Sequence, residues 1–243
     1  MNAQTSKQLT QKHIVAMGGG GWGMEPDNPL LDFYIYNLSD KEKPKICFIP
    51  TASGDSKDYI ERFYQHFVPK PAHLSHLSLF DPPTSDLKNL ILDQDIIYVG
   101  GGNTKNLIAL WKEWQIDCIM RQAWEKGIIL GGVSAGSICW FEEGVTDSIP
   151  GEKTVLKCLG FLPSSNCPHY NWEAYKDGYH RLLCEELVSN GYAADDGVAL
   201  HFIGDRLNKI VSSRPTAMAY FLENKNGKVE ETLLNPQYLG KSN

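Results

Sequence analysis

Gly132-Val133-Ser134-Ala135-Gly136 puts a serine at the centre of a Gly-x-Ser-x-Gly turn. The apolar run Ile128-Ile129-Leu130 precedes it, and Ser137-Ile138-Cys139-Trp140 can open a helix after it. A strand, tight turn and helix with serine at the apex hold the hydroxyl above a sheet edge. The backbone N–H groups that follow point at whatever the hydroxyl attacks. Flanking glycines remove the side chains that would obstruct so sharp a turn. Ser134 is therefore a candidate nucleophile. The five-residue pattern has many chance matches, and the flanking strand and helix give it weight.

A serine hydroxyl needs a base to take its proton, commonly a histidine oriented by a carboxylate. The chain has seven histidines. His13 falls at a strand start, His66 on a helix face, and His73 and His76 in or near an alternating strand; these read as packed or surface residues. His169 differs. It lies in Asn166-Cys167-Pro168-His169-Tyr170-Asn171, a segment without periodicity that proline stiffens. It is the preferred base, with His180 and His201 as the alternatives. For the acid, Asp195 and Asp196 stand in a turn just before a strand, where Asp-Gly also has an ordinary structural use. Asp147 is the competitor and would give the order serine, acid, histidine. Glu142, Glu143 and Glu152 are weaker. On the residues alone the acid stays open.

Gly100-Gly101-Gly102-Asn103-Thr104 offers backbone N–H groups at a helix start, suited to a phosphate or a developing oxyanion. It lacks the Lys-Ser/Thr end of a phosphate-binding loop, so nucleoside triphosphate binding is not expected. Gly18 to Gly23 resembles a dinucleotide fingerprint only superficially. It has too many glycines, and Pro26 and Pro29 leave no clear helix after it. No cofactor is expected. The histidines and cysteines lack zinc-ligand spacing, so no metal is expected either.

These residues need elements to hold them. Strands are predicted at His13–Met17, Lys45–Ile49 and Asp95–Val99, with a weaker one over Leu74–Phe80. Helical spacing runs from Asp58 to Val68, through Leu107, Leu110, Trp111 and Trp114, and from Ile119 to Trp124. Repeated strand, glycine turn and helix units imply an α/β fold, a mostly parallel sheet with helices on both faces. Ligands of such sheets bind outside the carboxyl ends of the strands, where the four turns after residues 17, 49, 99 and 130 would converge. Further on, Trp172 to Val188 reads as one helix. Val198–Ile203, Lys209–Val211 and Ala217–Leu222 read as short strands, with a hairpin turn at Asn226-Gly227.

The bulk properties agree. The 243 residues are 42 % hydrophobic, enough for a full core. Net charge is −6 with no basic stripe, which argues against nucleic acid. No apolar stretch could span a bilayer, and the polar N-terminus lacks a signal core, so a cytoplasmic location is expected. The six cysteines form no Cys-x-x-Cys pair and read as reduced thiols. Residues 1–12 read as a loose arm and 13–243 as a single domain.

Together the motifs resemble the dipeptidase E family of serine peptidases, which includes cyanophycinases. They are Gly-Gly-Gly-Asn-Thr at 100–104, Gly-Val-Ser-Ala-Gly-Ser at 132–137, Pro-His-Tyr at 168–170 and Asp-Asp-Gly-Val-Ala at 195–199. The early Gly-Gly-Gly-Gly-Trp and Ile-Pro-Thr-Ala-Ser segments fit too, and the match spans most of residues 13–222 in matching order. The resemblance implies a flavodoxin-like fold related to class I glutamine amidotransferases, with short antiparallel additions near the C-terminus. It implies Ser134 as nucleophile, His169 as base, and an acid near residue 196; its chain order favours Asp196 over Asp147. It implies an oxyanion hole from the Gly102 and Ala135 N–H groups, with Gly101 and Asn103 binding substrate. The substrates it implies are small peptides, aspartyl dipeptides or an aspartyl-arginine polymer, for which Arg181, Arg206 and Arg214 are candidate partners. A homodimer is a further candidate assembly. Two other functions compete. A glutamine-amidotransferase-like hydrolase would normally carry cysteine where Ser134 stands. A non-catalytic binding module would be expected to have lost one of Ser134, His169 or the glycine turns.

Overall fold

The structure is a computed structural model that describes residues 11–241; most of the expected N-terminal arm lies outside the described residues. One sheet has eight strands: β1 (His13–Met17), β2 (Lys45–Ile49), β3 (His73–His76), β4 (Ile96–Val99), β5 (Ile129–Val133), β10 (Val198–Ile203), β11 (Arg206–Ser212) and β14 (Gln237–Tyr238). Their spatial order is β14-β11-β10-β1-β5-β4-β2-β3. The run from β1 to β3 is parallel, with Met17 opposite Val133 and Val99 opposite both Gly132 and Ile49. The carboxyl ends of β1, β2, β4 and β5 therefore finish at one edge. β10 runs antiparallel to β1 with Ala199 opposite Met17. Its start, just after Asp195-Asp196-Gly197, reaches the same edge.

Strand residues alternate between two faces. Ile14, Ala16, Cys47, Ile49, Ile97, Val99 and Leu130 face one core with α3 (Leu87–Leu92), α4 (Thr104–Glu113) and α5 (Ile116–Glu125). Val15, Met17, Ile46, Phe48, Ile96 and Tyr98 face the other with α1 (Leu30–Tyr36) and α2 (Lys57–Phe67). This is the expected α/β arrangement with helices on both faces.

A second sheet is larger than the short additions expected. It has six strands in the order β13-β12-β9-β8-β6-β7. These are β6 (Phe141–Thr146), β7 (Thr154–Lys157), β8 (Leu162–Cys167), β9 (Gly191–Ala194), β12 (Ala219–Lys225) and β13 (Lys228–Leu234). β8 escaped the sequence reading because Leu-Pro-Ser-Ser-Asn-Cys shows no apolar alternation. Its Ser165 and Asn166 are nevertheless buried, Ser165 Oγ lying 2.6 Å from Tyr179 Oη and Asn166 Nδ2 donating to Ser137 Oγ at 2.9 Å. Hydrogen bonding makes that burial tolerable. Phe141, Leu162, Ala194 and Ala219 join the same apolar cluster as Ile14 and Leu130, so the two sheets share a core.

Several elements differ from expectation; the weaker strand expected over Leu74–Phe80 is His73–His76, and the late strands are Arg206–Ser212 and Ala219–Lys225. A helix does follow the glycine run. Pro29 caps α1, where its missing N–H costs nothing because the first N–H groups of a helix have no internal acceptor. The late helix α7 spans only Glu173–Cys184. Among the described residues no helix is long and apolar enough to cross a membrane, and no group of three or more His, Cys, Asp or Glu could hold a metal ion.

Candidate active site

Ser134 stands between β5 and the short α6 (Ala135–Ile138), with φ 56° and ψ −112°. Such a conformation is strained for a residue with a Cβ and persists only where the surroundings enforce it. They do so here. A Cβ at Gly132 would lie 2.3 Å from the Gly136 carbonyl oxygen, and one at Gly136 would lie 2.2 Å from that of Val99. The Ser134 N–H donates to the Met17 carbonyl at 3.1 Å. The turn is thus gripped by the ends of both neighbouring strands, β1 and β4.

His169 and Asp196 arrive through the second sheet. β8 and β9 are parallel, with Cys167 opposite Ala193. The chain leaves both strands side by side, so residues two or three positions further on meet. His169 Nδ1 lies 2.6 Å from Asp196 Oδ1, and His169 Nε2 lies 2.9 Å from Ser134 Oγ. Both separations are within hydrogen-bond reach and form one continuous relay. The His169 N–H donates to Gly18 O, and the Gly197 N–H donates to Gly19 O, each at 3.0 Å. The glycine run after β1 is therefore a seat for the base and the acid. A Cβ at Gly19 would fall 1.9 Å from Asp196 Oδ1, so glycine is required there for close approach.

Asp196 and His169 are both buried. Burial by itself would raise the Asp196 carboxyl. Hydrogen bonds from His169, Trp172 and Asn171, with the charge His169 can carry, outweigh it and hold the carboxyl below its ordinary value. Asp196 is thus kept ionised, ready to stabilise a positive imidazole.

The other candidates lie elsewhere. His180 bonds to Tyr170 and pairs with Glu231. His201 is buried in β10 between His13 Nδ1 at 2.9 Å and Tyr34 Oη at 2.7 Å. Asp195 accepts from the Met218 N–H, and Asp147 pairs with Lys153 on the hairpin loop; neither contacts His169. Gly101 lines the approach to Ser134, since a Cβ there would lie 3.4 Å from Ser134 Cβ. Gly102 has φ 137° and packs so tightly that a Cβ would meet Ala52 O at 2.2 Å. Among the described residues neither the Gly102 nor the Ala135 N–H has an internal acceptor. Asn103 is occupied otherwise: Oδ1 accepts from Asn106 N–H at 2.9 Å as a helix cap, and Nδ2 donates to Ser148 O at 2.9 Å. A substrate could use its side chain only by breaking that cap. Of the three arginines, Arg206 begins β11 at the opposite edge of the sheet, and Arg181 is paired with Glu152 and Glu185. Arg214 packs on Gly197 beside Asp196 and bonds Glu25 at 3.0 Å.

Three contributors were missed from sequence. Gly19 was visible only as one of a glycine run. Asn171 reads as loop and Trp172 as a helix start, yet both donate to Asp196 Oδ2, at 3.4 and 2.8 Å. Their adjacency to His169 was the available signal.

Known proteins share the sequence and the fold of this chain. The sequence model of Peptidase family S51 matches residues 14–210. The chain is 56 % identical over 230 residues to the uncharacterized peptidase YgaJ of Bacillus subtilis (strain 168), covering 94 % of this chain and all of that protein. It is 27 % identical over 189 residues to peptidase E of Shewanella denitrificans, covering 73 % of this chain and 78 % of the relative. Two solved structures share the fold. A peptidase from an acI-B1 Actinobacterium superposes with TM-score 0.67 at 20 % identity, covering 94 % of this chain and 96 % of the other. A putative peptidase E protein from Listeria monocytogenes EGD-e superposes with TM-score 0.57 at 18 % identity, covering 93 % and 100 %. On the extent of the family match and the full-length Bacillus relative, this chain belongs to peptidase family S51.

Proposed function

We propose that this peptidase is a serine peptidase that cleaves small peptides through Ser134, His169 and Asp196. The observation that carries the reading is the unbroken relay from Ser134 Oγ through His169 to Asp196, with separations of 2.9 and 2.6 Å, mounted on a strained turn. His169 Nε2 takes the Ser134 proton as the oxygen attacks the scissile carbonyl. The tetrahedral intermediate's oxyanion is received by the Gly102 and Ala135 N–H groups. His169 then returns the proton to the leaving amine, which leaves an acyl-enzyme on Ser134. Water, deprotonated by the same imidazole, releases the acid. Asp196 stays ionised throughout and stabilises the imidazolium.

Cysteine chemistry has no support at this turn. Cys139 is buried and its thiol is pushed well above the ordinary range by that burial, so it offers no thiolate. We assign residues 13–243 to a single cytoplasmic domain, whose two sheets share a core.

Aspartyl dipeptides are the first substrates to test. That preference comes from the resemblance, and Arg214 is the cation beside the relay that would serve it. The test is hydrolysis of dipeptides carrying each N-terminal residue, by the wild type and by Ser134→Ala. Turnover of some members by the wild type and none by the variant is expected. Equal turnover by both would refute the serine mechanism. Equal rates on alanyl and aspartyl dipeptides would refute the acidic preference alone.

A further inference from the structure

We propose that Trp172 is a positioning residue for this site: its indole N–H fixes the Asp196 carboxylate while its ring face fixes the His169 imidazole, an inference that rests on the serine-peptidase reading above. His169 has φ 54°, which turns the chain so that residue 172 folds back over it, and the Trp172 N–H donates to His169 O at 2.9 Å. The indole then lies on the imidazole with ring centroids 4.8 Å apart and planes 29° apart. From the same position its Nε1–H donates to Asp196 Oδ2 at 2.8 Å. One side chain thus holds both members of the dyad.

Each contact does separate work. With Oδ1 engaged by His169 and Oδ2 by Trp172, the carboxylate cannot rotate about its Cβ–Cγ bond. The imidazole is confined by the indole on one face and by Tyr175 edge-on at 5.4 Å, so its direction is set. The other titratable or charged groups nearby are Asp195, next in the chain to Asp196, Arg214 on Gly197 with its partner Glu25, and Tyr175, against which Asp147 and Lys153 pack. None of them donates to Asp196 Oδ2, whose remaining donor is Asn171 at the long distance of 3.4 Å. Trp172 is 47 % exposed. An indole this open to water contributes little to the core, so its placement calls for another reason, and its replacement should spare the fold.

Removing the indole N–H concentrates more charge on the Oδ1 side of Asp196. That strengthens its hold on a protonated imidazole, which moves the acid limb of a pH–rate profile to higher pH. The test measures the rate of Ser134 modification by an aryl fluorophosphonate across pH for the wild type, Trp172→Phe and Trp172→Ala. Trp172→Phe keeps an aromatic ring over His169 and deletes the donor. We expect its rate to fall about ten- to hundredfold, with the acid limb of the profile moved up by about half a pH unit. Trp172→Ala should lose more. A Trp172→Phe rate within about threefold of the wild type overturns the proposal. So does a slower rate with an unmoved limb, the signature of a merely structural loss. If the wild type itself is not modified at Ser134, the serine reading fails and this proposal with it; a modified wild type beside an indifferent Trp172→Phe removes the Trp172 role alone. Should the variants not fold, exchange of the indole N–H in the wild type decides. Slow exchange relative to Trp114, which is also exposed, is expected, and equal exchange overturns the proposal.

Discussion

Gly19→Ala adds one methyl group, and the structure says where it goes. The new Cβ would stand 1.9 Å from Asp196 Oδ1, 2.8 Å from its Cγ and 2.9 Å from His169 Nδ1. Real Cβ atoms essentially never approach another heavy atom closer than 3.0 Å. The carboxylate oxygen must therefore withdraw by about 1 Å or more, away from the atom that holds His169. A bond of 2.6 Å cannot absorb that movement and survive. A misplacement of about 1 Å costs on the order of 10², and loss of the orienting acid costs on the order of 10⁴. Turnover should fall between those limits. Stability should fall far less, by about 1–3 kcal/mol for the disturbed buried hydrogen bonds, or a few degrees in Tm for a chain of this length. Gly54→Ala is the control. Its Cβ would meet nothing within 4 Å, though its φ of +67° carries a backbone cost of about 1–2 kcal/mol. It should lose a comparable amount of stability and yet keep activity, which separates damage to the relay from a loss of stability. The assay is the fluorophosphonate modification rate beside a thermal melt. A folded Gly19→Ala protein reacting at more than about a third of the wild-type rate would refute the steric account.

Among the carboxylates, Asp196→Asn should lose roughly 10⁴ in turnover by holding the imidazole in the wrong tautomer. Asp147→Asn and Asp195→Asn should stay near the wild type; burial already raises the Asp195 carboxyl, so a neutral amide there should not lower Tm. A dead Asp147→Asn beside an active Asp196→Asn would reverse the assignment. Stability should also depend on His201, which burial first, and then the charges of His13 and Lys209, depress to about 4 from 6.5. The unfolded chain binds that proton below 6.5 while the folded chain refuses it until about 4. This contribution is therefore complete above 6.5 and is lost as pH falls through that window, by up to about 3 kcal/mol. His201→Gln should flatten the fall in Tm between pH 6.5 and 4, and an unchanged slope would count against the assignment.

The parallel sheet was legible because β1, β2, β4 and β5 are apolar runs ending in glycine or proline. Ser134 was legible because its turn needs glycines that the sequence displays. His169 could be preferred, but its link to Asp196 is a matter of register. Only the parallel pairing of β8 with β9 brings residues 27 positions apart to 2.6 Å. β8 itself was hidden, since its buried serine and asparagine are stabilised by hydrogen bonds that no hydropathy pattern reveals. The glycine run at 18–21 was conspicuous and its use was not. The same residues suit a phosphate loop or the close approach of two strands, and only the contacts with Ala194, Asp195 and Asp196 decide between them.

Peptide mapping by mass spectrometry after treatment with an aryl fluorophosphonate tests whether Ser134 is the nucleophile and His169 the base that activates it. One adduct per chain is expected, on the peptide containing Ser134, strongly reduced in His169→Ala and absent from Ser134→Ala. An adduct elsewhere, or peptide hydrolysis that persists unchanged in Ser134→Ala, would contradict it.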